Sequence, residues 1–451
     1  MALGKKIALI KKSEVIGDVY RSLMQRPLAI DELDVFYRAT SEARGKNPRS
    51  RIARLLEANL DTDEHILFVG YRGCGKSTEL NHLQKDIQDD FLVFNFSIFE
   101  ELDPNSINYI EIFIVTMERL FAFVEQQGLD ISKEYLASIT NFLKTKEIED
   151  VREKYLGADV EVGSETTFTI PYIQKFFAKF KASAKASRSL KTVLKENVEP
   201  HFPALIENCN ALINEIRLKL GELNKKDIAI IIEDLDKIYL SEAKDLFFDH
   251  ANQITRLKTN VVYTFPIALY HDLQFNSIKG YFSNIYELPM IKITDKTGKL
   301  EQEGYNALRA IVEARMNLNL FEQSAILDKM IKYSGGCLRD LFSMITEASE
   351  SAMDENRPKI NDADWQNAFQ RIKNEYEHTI ADYVEDGKVI YKASDYFKVL
   401  VDLAKSTTKK PDNTQVAMQL RQNLCILGYN GEGWCDVHPI VKEILKEREI
   451  L

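Results

Sequence analysis

Gly70-Tyr-Arg-Gly73-Cys-Gly75-Lys76-Ser77 is the stretch from which the fold is read. It matches the pattern G-x-x-x-x-G-K-[ST], and its surroundings are those the pattern requires. Before it lies a short apolar run, Ile66-Leu-Phe-Val69, which reads as a buried strand. After it, residues 76 to about 87 read as a helix. Glycines at such a bend let backbone N–H groups turn inward around phosphate oxygens. The following helix presents the positive end of its dipole to the same anion. Lys76 is placed to neutralise β/γ-phosphate charge, and Ser77 to put its hydroxyl on Mg²⁺. Gly70, Gly73, Cys74, Gly75 and Thr78 complete the binding stretch. Cys74 reads as a small loop filler, or as a thiol made more acidic by the helix end. An ordinary glycine turn before a helix is the plainer alternative.

The second signal is Ile230-Ile-Ile-Glu233-Asp234-Leu-Asp236-Lys237. A buried strand that ends in acids delivers carboxylates to the edge of an α/β sheet where ligands bind. Glu233 or Asp234 would hold the Mg²⁺ shell, and another acid would orient an attacking water. Asp236 reads either as part of this chemistry or as a cap on the next helix. Further strands are expected at 260–264 and 286–293. Strands alternating with helices define an α/β fold with a parallel sheet.

These motifs resemble the AAA+ and STAND branches of the P-loop ATPases. The Glu-Asp-Leu-Asp-Lys run is similar to the D-D-L-D-R and D-G-L-D-E forms of their Walker B motif, with Glu233 where those families have an Asp. Asp234 falls where many AAA+ members carry the catalytic acid. Thr264 stands at the sensor 1 position, or is a plain strand-end threonine. Ser334-Gly-Gly-Cys-Leu-Arg339 resembles the G-x-x-R sensor 2 signature, which would bring Arg339 to the γ-phosphate; otherwise Arg339 is a surface arginine. The run Gly70 to Leu80 (GYRGCGKSTEL) is similar to the G-[HY]-R-G-x-G-K-S-T-E-L loop of a set of bacterial ATPases. The resemblance covers about 30–375, and origin-recognition and archaeal initiator ATPases share the order of core, lid and winged helix. It implies ATP and Mg²⁺ as cofactors and a switch, loader or adaptor function, with DNA transactions or phage defence as the setting. One departure is clear: residues 265–293 contain no Arg, so an arginine finger at the usual place is missing.

Length and composition agree with this organisation. The chain has 451 residues, of which 45% are hydrophobic and 28% charged, so a large core is available. Tyr109 to Val124, the most apolar long stretch, is interrupted by Glu111, Glu118 and Arg119, which excludes a membrane span. The five cysteines form no Cys-x-x-Cys pair and the seven histidines no ligand spacing, which argues against zinc or a disulfide framework. A cytoplasmic protein without a signal peptide is the expectation. The domains expected are a core over 1–295 with a helical insertion at about 105–222, a helical lid over 296–378, and a winged helix over 379–451.

Partners are less determined. The formal net charge is −10, yet residues 166–195 carry seven basic residues and no acid. With Phe176, Phe177 and Phe180 interleaved, the segment 171–195 reads as a DNA, acidic-protein or membrane-surface contact, or as a solvated helix that packs its phenylalanines inward. In the tail, Gln415, Gln419, Arg421, Gln422 and Asn423 precede a hairpin expected around Asn430-Gly. They would contact DNA, although Glu432 and Asp436 in the wing would repel phosphates, and such modules also dock effector proteins. Trp434 and His438 read as hairpin packing. Arg38 and Arg44 lie where related ATPases bind adenine, or are surface charges. A homo-oligomer is plausible from kinship alone.

Overall fold

The computed structural model describes residues 10–60, 62–103, 107–151, 167–186, 196–385, 387–411, 413–429 and 433–451. Residues 157–166, within a stretch (157–170) that reads from sequence as extended or loop-like, lie outside these, as do Arg188, Lys191, Lys195 and the turn at 430–432.

Helix α1 (Pro48–Ala58) leads into β1 (His65–Gly70), and α2 (Lys76–Ile87) follows the glycine loop. Then come β2 (Phe91–Ser97) and four long helices: α3 (Tyr109–Gln127), α4 (Lys133–Leu143), α5 (Ile170–Ala186) and α6 (Phe202–Arg217). The sheet resumes with β3 (Asp227–Glu233), β4 (Asn260–Pro266) and β5 (Asn284–Leu288). All five strands are parallel, in the order β2-β3-β4-β1-β5. Every residue of β1, β3 and β4 is buried, as expected of strands covered on both faces. That burial explains why the Ile- and Val-rich runs were readable as strands.

The last strand departs from its expected span of 286–293. Pro289 lacks the N–H that would continue the ladder. The chain turns away there, and Met290 donates its N–H to Gly428 O (3.1 Å) in the C-terminal tail.

Four helices follow, α7 (Gln302–Arg315), α8 (Ser324–Tyr333), α9 (Leu338–Asp354) and α10 (Asp362–Thr379). The tail opens with a small hairpin, β6 (Tyr383–Glu385) and β7 (Lys388–Tyr391), that the sequence reading did not anticipate. It continues through α11 (Ala393–Lys405), α12 (Gln415–Gln422), the hairpin β8 (Ile426–Tyr429) and β9 (Trp434–Val437), and α13 (Pro439–Glu447).

Burial bears on two partner readings that the sequence left open. Helix α12 packs against the short helix Ile267–Tyr270 of the core. Arg421, one of the candidate DNA contacts, is buried at 2% exposure. In α5, Phe176, Phe177 and Phe180 are buried against the insertion helices, with Phe121 and Phe177 rings stacked at 5.9 Å, so none of the three can stack on a base. Lys181 pairs with Glu101 (2.6 Å) and Glu118 (3.0 Å). No described helix is long and apolar enough to cross a membrane.

The candidate nucleotide site

The glycine loop closes between β1 and α2 with the geometry its sequence demands. Gly73 and Gly75 sit at φ +75° and +103°, where a side chain is strained. Arg44 supports the loop from behind. It is buried, donates to Cys74 O (2.6 Å) and Thr40 Oγ1 (2.8 Å), and also bonds Pro289 O. These bonds brace the loop. Cys74 is fully buried beside it. Arg38 bonds to the backbone carbonyls of Val35 and Tyr37.

Lys76 points back into the loop and donates to Gly70 O and Tyr71 O, both at 2.8 Å. It also forms an ion pair with Asp236 (2.9 Å), with both side chains almost wholly buried. Lys76 and its neighbour Lys237 hold the Asp236 carboxyl below its usual range against the opposing effect of burial. The sequence showed the acid at 236 but not its partner.

Glu233, at the end of β3, is 8% exposed. Burial, reinforced by the charge of Asp234, raises its pKa to about 7; hydrogen bonds with Ser77 and Asn95 act the other way. Asp234 adopts a left-handed backbone at φ +70° and is held by the Ser97 hydroxyl and the Lys237 ammonium. Thr264 accepts the Leu235 N–H (3.0 Å) and donates to Ile232 O (3.4 Å). Its hydroxyl therefore pins the turn carrying the acids.

From the other side comes α9. Arg339 lies so close to Gly73 that a Cβ on the glycine would stand 2.6 Å from the Arg339 Cβ. A cavity of about 130 Å³ at this contact is lined by Gly73, Gly75, Ser77 and Thr78, with six cations: Arg26, Arg72, Lys76, Lys237, Arg315 and Arg339. Among the described residues no carboxylate lines it. A second cavity of about 660 Å³ shares Met24, Gln25, Arg26 and Arg339 with the first, so the two form one groove. The smaller part has room for phosphates, and the larger has the size of a small-molecule site.

Three of these cations were missed by sequence reasoning. Arg26 precedes the first recognisable element and pairs with Glu32 (2.6 Å). Arg72 occupies a free position of the loop pattern and donates to Lys237 O (3.0 Å). Arg315 ends α7, stacks over Phe342 (4.8 Å), and has its pKa lowered to about 10 by burial. Only Arg72 carried a local signal, its place inside the loop.

The donor set fits Mg²⁺. Ser77 and the Glu233 carboxyl meet at the head of α2, and a carboxyl this reluctant to ionise is one that a cation would stabilise. Among the described residues no group of three or more His, Cys, Asp or Glu could hold a metal ion. The protein would thus supply part of a shell that phosphate and water complete, as is usual for this ion.

A glycine loop after β1, in a parallel sheet ordered β2-β3-β4-β1-β5, defines the class: an α/β P-loop fold, as the resemblance to AAA+ proteins implies. No protein-family model and no curated protein matches the chain. Several solved structures are similar to it. The origin-recognition protein ORC1 of Aeropyrum pernix, solved in complex with DNA, is 12% identical over 92% of this chain and 94% of its own, at a TM-score of 0.38. A Walker-type ATPase of Pyrococcus abyssi is 13% identical over 94% and 99%, at 0.41. RuvB of Thermotoga maritima is 10% identical over 94% and 98%, at 0.34. The class rests on this chain's own strand order and loop.

Proposed function

We propose that the chain binds ATP with Mg²⁺ in this groove and hydrolyses it as a molecular switch. The carrying observation is the phosphate-sized cavity with six cationic side chains and, among the described residues, no acid on its wall. Such a lining suits a polyphosphate and little else. Lys76 would leave Asp236 for the β/γ-phosphates. Ser77 and Glu233 would hold Mg²⁺, which supplies charge neutralisation on the phosphates. Asp234 would orient the attacking water, with Thr264 fixing the turn on which it sits. Arg339 would meet the γ-phosphate and tie the lid helices to nucleotide state. Differential contacts of this kind are what bias a two-state switch.

A DNA-gripping loader is the weaker reading here, because α12 faces the core and the aromatics of α5 are packed. A setting in phage defence or DNA transactions remains part of the proposal through the sequence resemblance alone. ATP turnover with Mg²⁺, with and without double-stranded DNA, tests it against Lys76→Ala. Turnover that the substitution abolishes supports the switch. ATP retained without turnover points to a non-hydrolysing adaptor that recruits an effector. Equal nucleotide binding by wild type and variant sinks the reading.

A further inference from the structure

On the nucleotide reading, hydrolysis needs a cation at the γ-phosphate beyond the loop lysine, because charge builds on the transferring group and the leaving oxygen. The stretch between β4 and β5 offers no arginine for this, since residues 265–293 contain none. Six cations line the cavity at the glycine loop, and their surroundings tell them apart. Lys76 is paired with Asp236 (2.9 Å), Lys237 with Asp234, and Arg26 with Glu32 (2.6 Å). Arg315 ends α7 and lies over the Phe342 ring (4.8 Å). Arg339 belongs to α9.

Arg72 differs from these five because it is carried by the glycine loop and held by the turn after β3. It is half-buried, and its Nη2 donates to Lys237 O (3.0 Å). Lys237 closes that turn by donating its N–H to Asp234 O (3.0 Å). One guanidinium therefore ties the glycine loop to the turn that carries Asp234 and Asp236. Asp236 and Arg339 are the charged groups that act on it, and Asp236 is also the partner of Lys76. The Arg72 Nε is buried and, among the described residues, has no hydrogen-bond partner. An arginine so placed has a donor to spare for an oxygen arriving in the cavity. Its fork can bind two phosphate oxygens at once, and its charge survives partial loss of water. Because it is anchored before a nucleotide arrives, it needs no rearrangement when charge develops.

We propose that Arg72 is the catalytic arginine of this site, acting on the γ-phosphate from within the same chain in place of an arginine from a second subunit. This rests on the nucleotide reading given above. The water that Asp234 orients bonds to the γ-phosphorus, and the bond from that phosphorus to the β,γ-bridging oxygen breaks. The bridging oxygen keeps the electron pair as ADP departs, and the proton from the water leaves on inorganic phosphate. Arg72 donates to the γ-phosphate oxygens throughout, and a single chain suffices.

The test compares wild type, Arg72→Gln and Arg72→Lys in ATP turnover with Mg²⁺, and in binding of a fluorescent ADP analogue. Arg72→Gln should lower kcat roughly a thousandfold, the low end of what such an arginine supplies. KM for ATP and the affinity for ADP should change only a few-fold. Aluminium fluoride with ADP mimics the group in transfer. It should trap ADP on wild type and not on Arg72→Gln, a selective loss that a merely structural arginine would not produce. Arg72→Lys keeps a charge without the fork, should fall between the two, and decides the matter if Arg72→Gln does not fold. Turnover per chain should be constant across a wide range of protein concentration, because no neighbour takes part. Unchanged kcat or unchanged fluoride trapping in Arg72→Gln overturns the proposal, as does turnover per chain that climbs with concentration. ATP bound by wild type without turnover also overturns it, and leaves nucleotide binding standing. Failure of wild type to bind ATP or ADP removes the nucleotide reading and this inference together.

Discussion

Lys76 and Asp236 are buried together, and each is the other's counter-charge. On the proposed nucleotide reading, a phosphate at Lys76 would compete with an internal carboxylate. Asp236→Asn should lower the melting temperature of the nucleotide-free protein, because it strands a buried ammonium at a cost of about 3–5 kcal/mol. The same change should enlarge the stabilisation that ATP confers, since the freed lysine gains more from phosphate. Thermal denaturation with and without ATP checks both signs, and an ATP effect that shrinks would count against the competition. His271 gives a pH prediction. Its folded pKa, lowered to about 3 by burial and by Arg421, lies below the ordinary value of 6.5. The unfolded chain takes up this proton first as pH falls. The stability due to the neutral ring is thus fully present above pH 6.5 and is lost progressively towards pH 3. The loss is a few kcal/mol in all. His271→Gln should flatten the stability–pH curve in that window relative to wild type, as measured by urea unfolding.

At the scale of elements, α5 shows how burial decides between two readings of one segment. Its lysines suggested an anionic partner, and its phenylalanines a core. Phe177 is 1% exposed, so Phe177→Ala should cost about 3–5 kcal/mol through the cavity left behind. Denaturant unfolding measures this; a cost below about 1 kcal/mol would mean that the helix is not packed as described. The same logic explains what was legible. The phosphate loop, its strand and its helix could be read because local spacing and local chemistry coincide. β3 could be read because a fully buried strand is apolar without interruption. Arg421 of helix α12 misled because it is polar by type, while its burial is set by a helix some 150 residues earlier in the chain. The Lys76–Asp236 pair and the Arg26 and Arg315 contributions are likewise products of long-range packing. No spacing rule in one sequence encodes them.

At the scale of the whole molecule, the tail is wedged between the glycine loop and the helices α9 and α10. Tyr71 reaches into β8, and a Cβ at Gly428 would stand 2.8 Å from its hydroxyl. Tyr429 donates to Gly335 O (2.8 Å), just ahead of α9. The third tie is the deepest. His438, fully buried at the head of α13, accepts the Ile440 N–H at Nδ1 (3.2 Å) and brings Nε2 to 3.0 Å from Asp340. Tyr376 donates to the same carboxylate (2.6 Å). Asp340 follows Arg339, so the tail is latched one residue from the side chain that lies on Gly73. His438→Ala removes one of the two partners of a buried carboxylate, worth about 2 kcal/mol. That corresponds to roughly thirtyfold easier opening if the tail is a cooperative unit of its own. Hydrogen exchange should then quicken by that factor at the amides of β8 and β9, while β1 and β3 keep their protection. Quickening spread evenly through the sheet would mean that tail and core open only together. In that case Arg339 and the tail hairpin would move as one body, and a nucleotide could not shift the tail without loosening the sheet beneath it.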